Sequence, residues 1–287
     1  MNSESPLPRP ARTAHLILAV LLLLVAPLLA ARPAAQPVSA DDLLRQAVAK
    51  EKTAAKDAGY SIWTDRLQKP RGATTKLMVT TPQGIISRTV AINDRPLTAE
   101  ERSQDDQRIN RLLDPARMNE KAAKQREDAQ HIERVLAALP DAFHCEFSAT
   151  APEDHTHHLD CAPRPGYSPQ NYESQVLQGM KATILLDRQE NRIVRIDGTL
   201  FKDVNFGWGF LGRLNRGGRI EIVQSKVGAG RWNIVKMALV FDGRVIVVKP
   251  IHIEETELCW DYRPVPAMSV AQALDYLRAA SSNPKPH

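Results

Sequence analysis

The spacing of hydrophobic residues changes along the chain, and each spacing predicts a different kind of element. Over 41–58, apolar side chains including Leu43, Ala47 and Val48 recur at helical intervals, and Gly59 ends the predicted helix. Strict alternation of apolar and polar residues then predicts three strands joined by short turns. These strands cover 60–65, 74–81 and 85–93.

A long, highly charged helical segment follows over 98–139. Thr98 and Glu101 form a capping box, because the Thr98 hydroxyl can accept from the Glu101 amide while the Glu101 carboxylate reaches back. Pro115 disfavours helical geometry in the residue before it and so divides the segment. The middle, 119–130, has almost no apolar side chain beyond alanine, which is typical of a solvated helical arm.

The second half of the chain returns to β-strand patterns and closes with a helix. A short helix is predicted over 172–177, and Ser269 caps a final helix over 270–280. Asp242-Gly243 is the residue pair that a two-residue type I′ hairpin requires, so a turn is predicted there. The predicted strands cover 142–150, 157–163, 181–187, 192–203, 219–227, 231–241 and 244–257.

The order of these elements predicts a mainly β fold of the α+β class. Strands follow one another without helical crossovers, so we expect an antiparallel sheet. The helices are few and apolar on one side, which lets them cover one face of a curled sheet. We expect one domain over 41–280, with 98–139 as a polar helical insertion and 281–287 as a disordered tail.

The first 40 residues have the pattern of a secretory signal peptide. Arg9 and Arg12 precede an apolar run over 16–31, and Val38-Ser39-Ala40 fits the small-residue rule for cleavage. A retained N-terminal anchor is the alternative. Cleavage removes three arginines and one glutamate, which lowers the net charge from +5 to +3. That balance does not indicate nucleic-acid binding.

A glycine-rich aromatic stretch over 205–218 contains a formal G-x-G-x-x-G match at 207–212. A dinucleotide site needs this motif between a strand and a helix, and here further glycines and a strand follow it. We interpret the stretch either as a wide loop that lets the sheet bend or as the rim of a cavity. The apolar residues of such a rim are Phe206, Trp208 and Phe210.

The three cysteines leave at least one thiol outside any intramolecular disulfide. If Cys145 lies opposite Cys161, a cross-strand disulfide can form, but Glu146 then faces Asp160. A two-residue shift of the pairing suits the charges better and separates the cysteines. An oxidising compartment favours the disulfide.

The chain carries few groups arranged for chemistry. His155, His157 and His158 offer ligand types that suit zinc or copper, but their spacing matches no closed zinc pattern. We find no G-x-S-x-G, H-E-x-x-H, Walker or C-x-x-C motif. The sequence therefore predicts no catalytic residue, no cofactor and no enzymatic activity.

Several motifs lie after residue 195: 196–200 (Ile-Asp-Gly-Thr-Leu), 203–212, Gly217-Gly218, 230–232 (Gly-Arg-Trp) and 261–266. In these motifs the chain resembles exported bacterial proteins related to the outer-membrane lipoprotein carriers of the LolA/LolB type. The resemblance extends over roughly 41–280 in element order. It implies an unclosed, strongly curled antiparallel β-sheet, a half-barrel, with helices packed on its concave face around an acyl-chain cavity. No lipoprotein-contacting residue of the carriers matches a position here.

These observations predict a periplasmic lipid- or lipoprotein-binding, carrier-like protein of the cell envelope. The concave face supplies an apolar lining that includes Val194, Ile196 and Leu200. The expected partners are an acyl chain, a lipid or a lipidated protein, with peripheral contact with a membrane. Two alternatives stay open: a non-enzymatic interaction module that uses the helical arm, and a metal-binding protein or enzyme at the His-rich loop.

Overall fold

The computed structural model of the protein describes residues 38–57, 59–149, 155–207, 211–245 and 249–281. Most of the predicted signal peptide, residues 282–287 of the predicted tail, and two of the proposed rim residues, Trp208 and Phe210, lie outside the described residues. Within the described ranges, no helix is both long enough and apolar enough to cross a membrane.

The α-helices begin and end close to their predicted bounds. In the described part of the chain they are α1 (Ala40–Lys56), α2 (Ala99–Asn110), α3 (Pro115–Ala142), α4 (Tyr172–Leu177) and α5 (Val270–Ser281). The capping box of Thr98 and Glu101 is confirmed. The predicted break is also confirmed, because a 3-10 turn over Arg111–Leu113 separates α2 from α3. Helix α3 runs three residues further than predicted and includes Pro140.

The prediction of an antiparallel sheet is confirmed, and thirteen strands form one curled, unclosed sheet in the described ranges. Along its main path the strand order is β4-β3-β2-β1-β13-β12-β11-β8-β7-β6-β5, so β4 and β5 are the two edges. The strands are β1 (Ser61–Lys69), β2 (Gly72–Thr81), β3 (Gly84–Ile92), β4 (Arg95–Pro96), β5 (Phe143–Phe147), β6 (Thr156–Pro163), β7 (Met180–Asp187), β8 (Ile193–Leu200), β9 (Val204–Phe206), β10 (Gly212–Leu214), β11 (Arg219–Val227), β12 (Arg231–Val245) and β13 (Lys249–Pro264).

The predicted turn at Asp242-Gly243 is wrong, because both residues lie inside β12, which continues to Val245 and pairs there with Lys249 of β13. Asp242 lies opposite His252 of β13. On its other side, this end of β12 pairs with β10. A β-carbon at Gly243 would lie 2.2 Å from the Arg213 carbonyl oxygen. Glycine is therefore needed for the close approach of a neighbouring strand rather than for a turn.

The glycine-rich stretch after β8 is not a plain loop. It contains β10 and most of β9, which pair with each other in antiparallel register, and β10 also pairs with β12. Each of the two strands has three residues. Strands this short show no recognisable alternation, which is why the sequence pattern predicted a loop.

The two faces of the sheet carry separate core clusters, and we name each face by a fully buried residue. On the Ile184 face, α1, the C-terminal end of α3 and α4 contribute Leu44, Leu139 and Leu177 to one cluster. On the Val79 face, residues of α2, α3 and α5 form the second cluster with β2 and β3. The main side chains of this second cluster are Val79, Ile86, Ile109, Met118, Leu274 and Leu277.

The charged helical insertion is packed along part of its length. The Gln125 side chain of α3 accepts from the Ile85 amide and donates to the Ile85 carbonyl, each at 2.9 Å, at the exposed edge of β3. The Asp105 carboxylate of α2 accepts a hydrogen bond from the Thr89 hydroxyl at 2.9 Å. The insertion is therefore held against one edge of the sheet as well as against α1 and α4.

Candidate functional site

An apolar strip crosses the Ile184 face of the central strands. The strip consists of six half-buried side chains on β8, β11 and β12: Ile196, Ile220, Ile222, Met237, Leu239 and Phe241. Ile222 lies opposite Ile196 on one side and Met237 on the other, and Ile220 lies opposite Leu239. Side chains paired across neighbouring strands are close enough to touch, so the six form a continuous surface.

One end of this apolar strip joins the core on the Ile184 face. Ile196 lies opposite Ile184, which is fully buried. Ile196, Ile220 and Phe241 all pack against the buried cluster. A β-carbon at Gly218 would lie 2.4 Å from the Phe241 ring, so the glycine leaves space for this ring. The strip is therefore continuous with this core, while all six of its side chains stay half-buried.

A polar group of β1 and β13 residues lies at the other end of the strip. The acid–thiol cluster, as we name it, consists of Asp65, Glu257 and Cys259, whose ligand-type atoms all lie within 4.8 Å of one another. Glu257 lies opposite Met237 of the strip. Asp65 and Cys259 lie opposite each other and are only 7% and 8% exposed. Because two carboxyl groups and a thiol lie side by side with little access to water, the charge of the cluster depends on which of them are protonated.

Hydrogen bonding and burial decide the charge of the acid–thiol cluster. A hydrogen bond to Asp65 and burial together raise the pKa of Glu257 to about 8. Burial, with the nearby Glu257 carboxyl, raises the pKa of Cys259 to about 12. At neutral pH, Glu257 is therefore protonated and donates to Asp65, and Cys259 is a neutral thiol. Lys76 lies opposite Asp65 on β2 and opposes the rise at Glu257.

Two aromatic side chains adjoin the acid–thiol cluster. The Trp63 and Tyr262 rings are stacked, with centroids 5.7 Å apart and planes 10° from parallel. The Tyr262 hydroxyl donates to the Ile234 carbonyl at 2.7 Å, and burial raises its pKa. Together with the strip, these rings give the Ile184 face an apolar surface that ends at hydrogen-bonding groups.

The acid–thiol cluster also offers two carboxylates and one thiolate as ligands, a set that zinc accepts. Binding of a cation would require the loss of the Glu257 and Cys259 protons. Lys76 on the same face would oppose it. The groups also satisfy one another, since the Cys259 thiol lies 3.7 Å from an Asp65 carboxylate oxygen.

The His-rich segment is arranged differently from a metal site. His157 and His158 are neighbours on β6, and therefore point to opposite faces of the sheet. The His157 ring lies 5.9 Å from the Phe147 ring, and burial and the nearby Arg188 lower its pKa. His155 precedes the strand and is exposed. The structure does not bring these three residues together on one side.

The structure has the first of the two β5–β6 registers. Cys145 lies opposite Cys161 and the two are joined by a disulfide, while Glu146 faces Asp160. Cys259 is the free, buried cysteine. The like-charged pair is exposed on the outer side of the strands, where water screens its repulsion.

The predicted lining residues occupy different surroundings. Ile196 belongs to the strip, whereas Leu200 is 1% exposed inside the core. Val194 is the extra residue of a bulge in β8, between the residues paired with Leu185 and Leu186. Phe206 on β9 is half-buried and meets the Tyr172 ring edge-on at 6.0 Å.

Sequence reasoning missed most of the strip and the whole acid–thiol cluster. The alternation of Met237, Leu239 and Phe241 along β12 was a readable signal for the strip. Asp65 and Cys259 are separated by 194 residues, and no sequence pattern links them. Only the pairing of β1 with β13 brings them together.

No protein-family model matches the chain, and no curated protein matches it significantly. The class of protein is therefore defined by its fold and site. It is a curled, unclosed antiparallel β-sheet protein with a half-covered apolar strip on one face.

Proposed function

We propose that this protein binds a lipid, or the acyl chain of a lipidated partner, on the Ile184 face, as a non-enzymatic carrier of the cell envelope. The apolar strip carries the proposal, because its six side chains are contiguous yet only half-buried. Continuous accessible apolar surface of this kind is typical of ligand and partner sites.

In this proposal the Ile184 face is the concave face of the sheet, and helices α1, α3 and α4 cover one end of it. Helix α3 contacts both β3 and β5, strands near the two edges of the sheet. The C-terminal end of α3 belongs to the same buried cluster that Ile196 of the strip packs against. Each methylene removed from water contributes about 0.8 kcal/mol, so affinity should rise with chain length.

The acid–thiol cluster suits the polar end of such a ligand. Glu257, held protonated beside Asp65, is a hydrogen-bond donor at the end of an otherwise apolar surface. An ester or head group of the ligand could replace Asp65 as the acceptor of the hydrogen bond from Glu257. The arrangement is that of a binding site with a few placed polar groups in an apolar lining.

The proposed location rests on the sequence. The N-terminal pattern of a signal peptide favours export to the periplasm. The disulfide between Cys145 and Cys161 is compatible with an oxidising compartment. The resemblance of the motifs after residue 195 to the LolA/LolB type of carrier supports the same role.

Two neighbouring substitutions test the binding face. Leu239 belongs to the strip, and Val240 is an equally half-buried residue whose side chain points to the Val79 face. We expect Leu239→Gln to abolish lipid binding or to lower the affinity about tenfold. Val240→Gln should bind lipid as the unaltered protein does. Native mass spectrometry of mature, tag-free protein, with organic extraction of bound material, measures this.

Equal lipid binding by the two variants, with both folded by circular dichroism, would contradict a site on the Ile184 face. The carrier function itself would be contradicted by two results together: the purified protein carries no lipid, and no member of an added fatty-acid series binds to it.

A further inference from the structure

A surface pocket lies where the 3-10 turn meets the first half of α3. It has a volume of about 690 Å³ and is lined by Arg111, Arg117, Lys121 and Lys124 together with Glu120 and Glu127. Arg117, Lys121 and Lys124 follow one another at four- and three-residue spacing, so they share one side of α3. Four cationic side chains thus converge on one concavity.

Lys121 is the central group of this cationic pocket. Its side chain is half-buried and forms no ion pair within the described part of the chain. Burial, Arg108 and Lys76 lower its pKa, in that order of importance. A partly desolvated ammonium group under the influence of two other cations lacks the counter-charge that normally accompanies burial.

The carboxylates around the pocket do not supply that counter-charge. The Glu120 and Glu127 side chains are exposed. A Glu127 carboxylate oxygen lies 3.8 Å from the His131 Nε2 atom, and Glu127 forms no ion pair with a lysine in the described residues. The Arg108 guanidinium, which influences Lys121, is itself paired with the Asp105 carboxylate at 2.7 Å. The cationic pocket therefore keeps a net positive charge around a partly dehydrated amine.

We propose that this cationic pocket binds a phosphate group, with Lys121 as its central ligand and Arg117 and Lys124 beside it. Arginine and lysine donors that converge on a concavity are typical phosphate ligands, and charge-assisted hydrogen bonds are the strong ones. The phosphate can belong to a lipid head group or to a free anion. This site is independent of the apolar strip and stands even if the strip binds nothing.

The test compares Lys121→Gln with Lys52→Gln in the mature protein. Lys52 is an exposed α1 lysine without an ion pair in the described ranges, so its replacement removes the same charge elsewhere. We expect Lys121→Gln to weaken phosphate binding about tenfold or more and Lys52→Gln to leave it unchanged. Calorimetric titration with inorganic phosphate measures binding of the free anion.

Co-sedimentation with phosphatidylcholine vesicles, with and without phosphatidylglycerol, measures binding to the phosphate of a lipid head group. Binding of inorganic phosphate assigns the pocket to a free anion, and binding only to vesicles that contain phosphatidylglycerol assigns it to a lipid head group. Either result, if lost in Lys121→Gln and kept in Lys52→Gln, supports the proposal.

A second measurement excludes a purely structural effect. Phosphate should raise the pKa of the Lys121 amine, which is followed by the NMR shift of its ε-carbon during pH titration. Lys121→Gln should unfold at the same temperature or a higher one, since it removes an unpaired, desolvated charge. No binding of either probe, or equal losses in both variants, would overturn the proposal.

Discussion

At the scale of single residues, Glu257 has chemistry that its own stretch of sequence does not reveal. It lies on β13 among other acidic residues, as a surface strand residue would. Its partner Asp65 on β1 is 7% exposed, and a shared hydrogen bond holds the proton between them. Position in space, rather than residue type, makes Glu257 a neutral acid.

The stability of the protein should depend on pH through this proton. Because the pKa of Glu257 is raised to about 8, the folded state holds the proton more tightly than the unfolded state. The unfolding free energy should therefore fall as pH rises from about 4.5 to about 8, and then level off. Glu257→Gln, which keeps a donor to Asp65, should flatten this fall. Urea unfolding at stepped pH measures it.

The control is Glu133→Gln, an exposed α3 glutamate without an ion pair in the described residues. It should reproduce the pH dependence of the unaltered protein. An unaltered protein whose stability rises across this window, or a Glu257→Gln variant with the same slope, would contradict a shared proton at the acid–thiol cluster.

Other residues were readable from sequence because their contacts are local. Thr98 and Ser269, both predicted as caps, each accept a hydrogen bond from a residue three positions on. Asp242-Gly243 has an equally local turn signal, but β10 and β13 flank it and extend the strand. Pairing on both sides of a strand outweighs the preference of two residues for a turn.

At the scale of elements, the middle of α3 was predicted to be a solvated helical arm, but the structure packs it against the sheet, with Ala122 buried. Gln125 occupies the unpaired edge of β3 by bonding both the amide and the carbonyl of Ile85. The side-chain amide thus substitutes for a neighbouring strand at an exposed edge. The close fit also depends on Gly84, where a β-carbon would lie 2.6 Å from the Gln125 oxygen.

Gln125→Ala should loosen this attachment. It leaves the Ile85 amide and carbonyl without protein partners, at an expected cost of about 1–2 kcal/mol. Hydrogen exchange of the Ile85 amide should accelerate, and amides of β7 should be unaffected. Asp128→Ala, an exposed change on the same helix, is the matched control. Unchanged exchange at Ile85 would show that α3 is held by other contacts.

At the scale of the whole molecule, one sheet supports two separate cores. Leu44 and Ile184 belong to the cluster on one face, and Ile86 and Leu274 belong to the cluster on the other. Strands β11, β12 and β13 connect the two regions and are mostly half-buried. Local stability should therefore differ between the two ends of the sheet.

Paired substitutions in the two cores test this division. Leu274→Ala opens a cavity on the Val79 face and should cost about 2–5 kcal/mol. Exchange should accelerate first in β2 and β3. Leu44→Ala, the same change in the other core, should accelerate exchange first in β7 and β8. Uniform loss of protection in both variants would mean that the sheet unfolds as one cooperative unit.

The sequence by itself determined the helices, the longer strands, the antiparallel class and the candidate disulfide, because these depend on neighbours within a turn or on strand alternation. The tertiary structure decided the β1–β13 pairing, the short β9–β10 hairpin, the acid–thiol cluster and the position of α3. The β1–β13 pairing, the acid–thiol cluster and the position of α3 join residues far apart in the chain, such as Asp65 with Cys259, whereas β9 and β10 are close in sequence but too short to show alternation. Their stability comes from burial and cross-strand contacts that exist only after the sheet has assembled.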